Sequence, residues 1–223
     1  MAETPLLSSL RQMILEGRLA PGERVTEAGL AERLGLSRTP IRNVLPALAA
    51  EGYLKPVGRR GFAVAEFNDA ESTEALELRA VLEGQAGRML ARKGASPELL
   101  EALDACLADG DALFAKGRLD AEDKEHYGAM NARFHDLIVD GAGAPILRSL
   151  VERLNRVPFV APGIIVLDHD DEASVFRLLY LAHGHHHAIV DAIRQRDSAR
   201  VEMLFREHAN AQRQSTFELR APL

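Results

Sequence analysis

The chain has 223 residues, with 27 Lys and Arg against 33 Asp and Glu and a formal net charge of −6. A single cysteine, Cys106, excludes an internal disulfide framework, and its place among Leu103 and Leu107 reads as a small buried hydrophobe. The most continuous apolar stretch, Val157 to Leu167, contains two prolines and falls far short of the ~20 residues that cross a bilayer. With no signal peptide read ahead of the first helix, the expectation is a soluble, cytoplasmic protein with no membrane partner.

The length exceeds one small domain, and the charge divides unevenly. Residues 1–67 hold nine Lys and Arg and seven Asp and Glu, a net +2; residues 68–223 hold eighteen and twenty-six, a net −8. Two domains with different partners are expected, 1–67 and 68–223. A mildly basic module on an acidic body suits salt-sensitive DNA binding better than the acidic average suggests.

From Val25 to Leu45 the sequence reads as two short helices around a tight turn. Thr26 can cap the first, Leu30, Ala31 and Leu34 form its apolar face, and Gly35 supplies a left-handed residue to end it. Ser37 is expected to cap the second helix, whose first turn and a half carries Arg38, Thr39 and Arg42, while Leu45 and Leu48 turn inward. That is the part of a helix-turn-helix that enters a major groove. Glu51 to Ala65 then reads as strand, basic tip and strand, the wing of a winged helix. Gly58 and Gly61 allow the turn and a close backbone approach, and Arg59 and Arg60 would lie along phosphates or in the minor groove. The bare helix pair is weakly specific, and a charged helical hairpin is the plainer alternative. The wing, with six basic residues against one acid from Arg33 to Arg60, favours DNA.

The run Leu30 to Arg42, with Ser37-Arg38-Thr39-Pro40-Ile41-Arg42 at its core, followed by Leu48-Ala-Ala-Glu-Gly-Tyr-Leu54, resembles the N-terminal domain of GntR-type bacterial transcription regulators. Where that family continues Arg-Glu-Ala-Leu, this chain has Arg42-Asn43-Val44-Leu45, and Pro46 stands inside the recognition helix. Pro46 lacks the amide that would bond the Arg42 carbonyl, which predicts a bend beyond the groove-facing residues.

Beyond Phe67 the apolar residues recur at helical spacing only. Asn68 and Glu71 make a capping box for a helix running to Gly94; Ser96-Pro97-Glu98 starts a second that ends near Gly117. A third spans about Asp120 to Val139, a fourth follows Pro145, a fifth runs from about Asp171 to Arg196, and a sixth from Asp197 to about Glu218. The fold class expected is mainly α, a winged helix-turn-helix followed by an all-helical antiparallel bundle.

Three histidines lie on apolar stripes of that bundle: His135 with Phe134 and Ile138, His186 with Ile189 and Ile193, His208 with Leu204 and Phe205. A buried imidazole needs a polar partner. Asn131 and His135 are four apart and project from one helix face. His186 and His208 each stand eleven residues from Asp197, so if the last two helices fold back there, both lie roughly 16 Å from the turn at ~1.5 Å rise per residue. Three imidazoles and an oxygen then converge, a ligand set for a divalent ion, zinc first, with nickel, manganese or cobalt as alternatives. His183, His185 and His187 point elsewhere by helical phase and are assigned a solvated or outer-sphere role, and His126 and His169 have no evident partner. A metal-free polar cluster is the competing reading.

Glu77-Leu-Arg79-Ala-Val-Leu-Glu83, Asn131-Ala-Arg-Phe-His135, His186-His-Ala-Ile-Val-Asp-Ala-Ile and Arg206-Glu-His208 resemble the FadR-type branch of the GntR family, with its C-terminal FCD domain. The resemblance implies an effector-binding, dimerising bundle in which Asn131, His135, His186 and His208 hold the ion and a small organic acid completes its shell. Asn131, where metal-binding members have Asp or Asn, leaves the ligands formally neutral. Arg79 would clamp the carboxylate of the acid, unless it is a surface arginine paired with Glu83. The function expected is a homodimeric, ligand-responsive transcriptional repressor on an operator with two-fold symmetry. A metal-dependent hydrolase with an appended DNA-binding module is the alternative. No acidic residue in the histidine motifs is marked as a general base, so an enzyme is not expected.

Overall fold

Three helices and a short sheet organise the N-terminal residues around a small apolar centre. The computed structural model describes residues 5–15, 17–50, 52–58, 61–65, 69–157, 160–163 and 172–216. They fall into two compact units, Met1–Glu71 with Arg156–Pro158, and Ser72–Asn155 with Phe159–Leu223.

In the first unit, α1 (Pro5–Leu15) precedes β1 (Arg24–Val25), α2 (Glu27–Leu34), α3 (Arg38–Ala50), β2 (Leu54–Val57) and β3 (Gly61–Val64). Thr26 is extended and its side chain accepts the amide of Gly29, while Gly35 takes φ 66° and its amide returns to α2 carbonyls. These are the start and stop that Thr and Gly supply for local reasons, a side-chain acceptor at one end and freedom from Cβ strain at the other. The helix α3 continues through Pro46 to Ala50, so the missing amide does not end it. Leu10, Leu19, Ile41, Leu45, Leu48 and Tyr53 are fully buried. The helix α1 and the strand β1 were not legible in the sequence, and both contribute to this centre, through Leu10, Met13, Ile14 and Val25. The sheet order is β1-β3-β2, antiparallel, with Val57 opposite Gly61 at the hairpin and Arg24 opposite Ala63.

The second unit contains all but the first residues of α4 (Asp69–Lys93), with α5 (Pro97–Phe114), α6 (Ala121–Gly141), α7 (Pro145–Leu154), α8 (Glu172–Arg194) and α9 (Ser198–Thr216). Ser96 caps α5 through the Leu99 amide, and Asp120 and Asp123 cap α6 reciprocally. Asn68 lies outside the described residues. The bundle core runs from Leu90 and Leu103 through Tyr127, Phe134 and Ile138 to Ile189, Ile193, Val201 and Phe205. Gly87 lets α4 approach α9, since a Cβ there would stand 2.5 Å from Val201 Cγ1. The helices α8 and α9 reverse through Arg196, a non-glycine residue at φ 57°, and Asp197, whose carboxylate accepts the amide of Arg200. This antiparallel return puts the two ends of the expected histidine pair at one level.

Candidate metal centre and nucleic-acid interface

Arg38, Thr39 and Arg42 are all exposed on the first turns of α3. Arg42 is held by Glu27 of α2, with Nε 3.1 Å and Nη2 3.0 Å from its carboxylate, which raises the guanidinium pKa further. The pair fixes the direction of the arginine without covering it, since the side chain keeps 66% of its surface open. Arg59 and Arg60 lie outside the described residues. Gly58 takes φ 65° at the hairpin, where glycine is free of steric cost. Gly61 is buried, and a Cβ added to it would lie 3.3 Å from the Val57 carbonyl and 3.6 Å from Arg24 Nε. Its lack of a side chain thus serves the hairpin itself.

In the bundle, α6, α8 and α9 deliver His135, His186 and His208 to one point. His208 Nε2 lies 3.2 Å from His135 Nε2 and 3.3 Å from His186 Nε2, and all three residues are buried. For ligands at ~2.0–2.1 Å from a tetrahedral ion, the edges of the tetrahedron are about 3.3–3.4 Å, so these separations already suit a shared centre. Desolvation by burial, then the neighbouring imidazoles, hold His186 well below the usual histidine pKa. Burial, then His135 and Arg79, do the same to His208. Both rings are therefore neutral near pH 7, with lone pairs to offer.

Asn131 sits one turn before His135 on α6, buried, and its Nδ2 donates to the Pro162 carbonyl at 2.6 Å. That bond orients the amide, and its Oδ1 is left buried without a hydrogen-bond partner. An orphaned buried oxygen is costly, and a donor or cation placed beside it would satisfy it.

Glu83 is the functional residue that sequence reasoning missed. It is buried on α4, and its Oε2 accepts from His135 Nδ1 at 2.8 Å, which turns Nε2 of the ring toward His208. Burial alone would raise its pKa, but Arg79 and then His135 hold it below the usual carboxylate range. The two residues stand on different helices, so no sequence spacing joins them.

Arg79 is buried rather than on the surface, as the plainer expectation had it, although the pairing with Glu83 is present at 3.4 Å. Its Nη2 donates to Gln212 Oε1 at 2.8 Å and its Nη1 to the Val160 carbonyl. Desolvation lowers its pKa, opposed by Glu83. Arg79 thus lies at the edge of the histidine cluster.

His183 departs from the solvated alternative. It is buried, its Nδ1 lies 3.4 Å from His186 Nδ1, and it stacks on Phe114 at 5.3 Å. His187 is half-exposed, His185 is partly buried, His126 is exposed, and His169 lies outside the described residues.

The fold and these sites define a winged-helix DNA-binding module followed by a helical bundle with a buried cluster of polar side chains. Residues 6–64 match the family described as bacterial regulatory proteins, gntR family, and residues 74–211 match the FCD domain. The chain belongs to the GntR family, with a C-terminal FCD domain. It is 32% identical to the uncharacterized HTH-type transcriptional regulator YdhC of Bacillus subtilis (strain 168) over 66% of this chain and 64% of that one. It is 28% identical to the HTH-type transcriptional repressor GlaR of Escherichia coli (strain K12) over 89% of this chain and 88% of that one. The solved structure of E. coli McbR/YncC shares the fold, with a TM-score of 0.66 at 22% identity and 97% coverage of both chains. The family and these relatives are DNA-binding transcription regulators, not enzymes, and the FCD domain implies that a ligand is bound. No helix among the described residues is long and apolar enough to cross a membrane.

Proposed function

We propose that this chain is a cytoplasmic, homodimeric repressor whose affinity for a two-fold symmetric operator changes when a small carboxylic acid binds beside a divalent ion in the bundle. Arg38, Thr39 and Arg42 would read the operator, and the wing, with Arg59, Arg60 and Gly61, would follow the backbone beside it. Asn131, His135, His186 and His208 would hold the ion, zinc first. The observation that carries the reading is the meeting of three buried imidazoles, with His208 Nε2 3.2 and 3.3 Å from the Nε2 atoms of His135 and His186, one turn along α6 from Asn131, whose Oδ1 is buried without a hydrogen-bond partner.

A divalent ion held by ligands that carry no formal charge would supply net positive charge, which favours an anionic oxygen from the effector. The rest is the work of the chain. Asn131 is held for its task by Pro162, and Glu83 fixes the tautomer of His135. Arg79 reaches the cluster from the side, where a carboxylate can replace Gln212 as the acceptor of Nη2. Coupling to DNA requires that the acid bind the two dimer arrangements unequally; ~1–3 kcal/mol would change operator affinity about 5- to 150-fold.

Elemental analysis of untagged protein, dialysed against a weak chelator, tests the centre. One tightly held ion per chain is expected, lost alike in His135→Ala, His186→Ala and His208→Ala. Full retention in any two of these variants would overturn the four-ligand site.

A further inference from the structure

A second group of donors joins α5 to α8 on the outer side of His186. Asp111 Oδ1 lies 3.0 Å from His183 Nε2 and 2.9 Å from His187 Nε2, and the three donor atoms all lie within 4.8 Å of one another. His183 and His187 are four apart on α8, so one helix face presents both. The seat of His183 is built for its ring: a Cβ at Gly110 would be driven into the imidazole, so α5 comes this close only because residue 110 has no side chain. Phe114 closes the other side by stacking. The side chains of Asp111 and His187 remain 57% and 44% exposed, which leaves the group open to water and to further ligands.

The charge also suits a cation. Two imidazole nitrogens and one carboxylate, with open positions, are a ligand set for zinc, nickel or cobalt.

We infer that Asp111, His183 and His187 form a second, solvent-facing divalent-cation site, whose filling opposes that of the buried centre through the contact between His183 and His186. The opposition follows from proton placement between the two Nδ1 atoms, 3.4 Å apart. When His186 turns the lone pair of Nε2 to the buried centre, its Nδ1 carries the proton and donates to His183 Nδ1. His183 then holds its own proton on Nε2, facing Asp111. The outer site needs the other tautomer, with the lone pair on Nε2 and the proton on Nδ1. Filling both sites sets two N–H groups against each other, a lost hydrogen bond that corresponds to an affinity on the order of 10- to 100-fold weaker. The opposition rests on the buried centre proposed above; the outer site does not.

Calorimetric titration of untagged, metal-free protein with zinc and with nickel tests this. The wild type should bind two ions per chain, the second more weakly, and His187→Ala should lose only the second while keeping the tight one unchanged. In a His135→Ala, His208→Ala double variant, one ion should remain, bound about 10- to 100-fold tighter than the second ion of the wild type. Adding His187→Ala should abolish it. If the double variant fails to fold by circular dichroism, the comparison of wild type with His187→Ala decides alone. A single ion that survives His187→Ala unchanged overturns the outer site and leaves the buried one standing. A single ion that disappears in His187→Ala supports the outer site and overturns the buried one. No binding in either protein overturns both.

Discussion

His135 Nδ1 stands 2.8 Å from Glu83 Oε2 while its Nε2 stands 3.2 Å from His208 Nε2, so one buried carboxylate decides which nitrogen of the ring faces the cluster. Glu83 is in turn paired with buried Arg79, four residues before it on α4. A line of polar groups therefore crosses from α4 through α6 to α9 inside an otherwise apolar core. Carboxylates that hold a ligating imidazole in this way set its tautomer and raise its basicity.

Glu83→Ala is expected to act on both stability and metal. It leaves the Arg79 guanidinium buried without its carboxylate, and breaking a buried pair from one side costs about 3–5 kcal/mol. Glu83→Gln keeps the size and an acceptor oxygen but loses the charge, so it should fold better and still hold the ion roughly 10- to 100-fold more weakly. Urea unfolding and metal competition against a chelating dye read the two effects separately. Unchanged metal affinity in Glu83→Gln would remove Glu83 from the centre.

The helices of the bundle and the level of the histidines were legible in the sequence because each depends on local spacing. Thr26, Gly35, Ser96 and Asp120 mark ends by their own chemistry, and the equal distance of His186 and His208 from Asp197 survives as a 3.3 Å contact. What escaped depends on pairing across helices. Nothing in the spacing of Glu83 and His135 predicts their bond, and the phase argument that turned His183 away from the cluster did not anticipate Gly110, whose missing side chain admits the ring between α5 and α8. The helix α1 lacks an acidic first turn and a basic last turn, and β1 has only two residues, so neither carried a usable signal.

Metal-free protein is expected to lose stability as pH falls below about 6.5. His186 and His208 have folded pKa values well below the ordinary value, chiefly through burial. Above about 6.5 both states hold these rings neutral and nothing changes; below it the unfolded chain takes up protons that the folded chain refuses. Each ring then costs up to ~1.4 kcal/mol per pH unit until its folded pKa is reached. His183 and His185, also depressed by burial, act in the same direction. Urea midpoints at pH 7.5, 6.5 and 5.5 give the slope, and His208→Gln should flatten it. A midpoint constant over that range would contradict the buried, neutral assignment.

Arg38→Ala and Arg42→Ala should each remove specific operator binding without dissociating the dimer. Both residues are exposed on the first turns of α3, and a bidentate base contact contributes ~1–3 kcal/mol of discrimination. Arg59→Ala and Arg60→Ala should instead weaken binding to all sequences and flatten its dependence on salt. Glu27→Gln separates direction from charge: it removes the carboxylate that orients Arg42 at 3.0 Å while leaving the arginine in place. Gel shifts at two salt concentrations distinguish these outcomes. Equal affinity of Arg38→Ala and wild type for the operator would exclude α3 as the reading helix.

Asn131→Asp should tighten the ion and weaken the effector. The amide oxygen is buried and unpartnered, so a carboxylate there adds a negative charge where a cation gains most from it. The same charge lowers the net positive field that draws the carboxylate of the acid, and the two affinities should move in opposite directions. Arg79 needs a gentler probe than truncation, because Arg79→Ala strands Glu83 just as Glu83→Ala strands Arg79. Gln212→Leu removes the acceptor of Arg79 Nη2 at the place a carboxylate would take, and leaves the ion ligands untouched. It should bind the acid more tightly, since Gln212 no longer competes for the guanidinium, with metal content unchanged. Calorimetry of the zinc-loaded proteins with a panel of two- to six-carbon hydroxy, keto and dicarboxylic acids measures this. Failure of every acid to bind, or equal affinity in the wild type and both variants, would count against a carboxylate lying between the ion and Arg79.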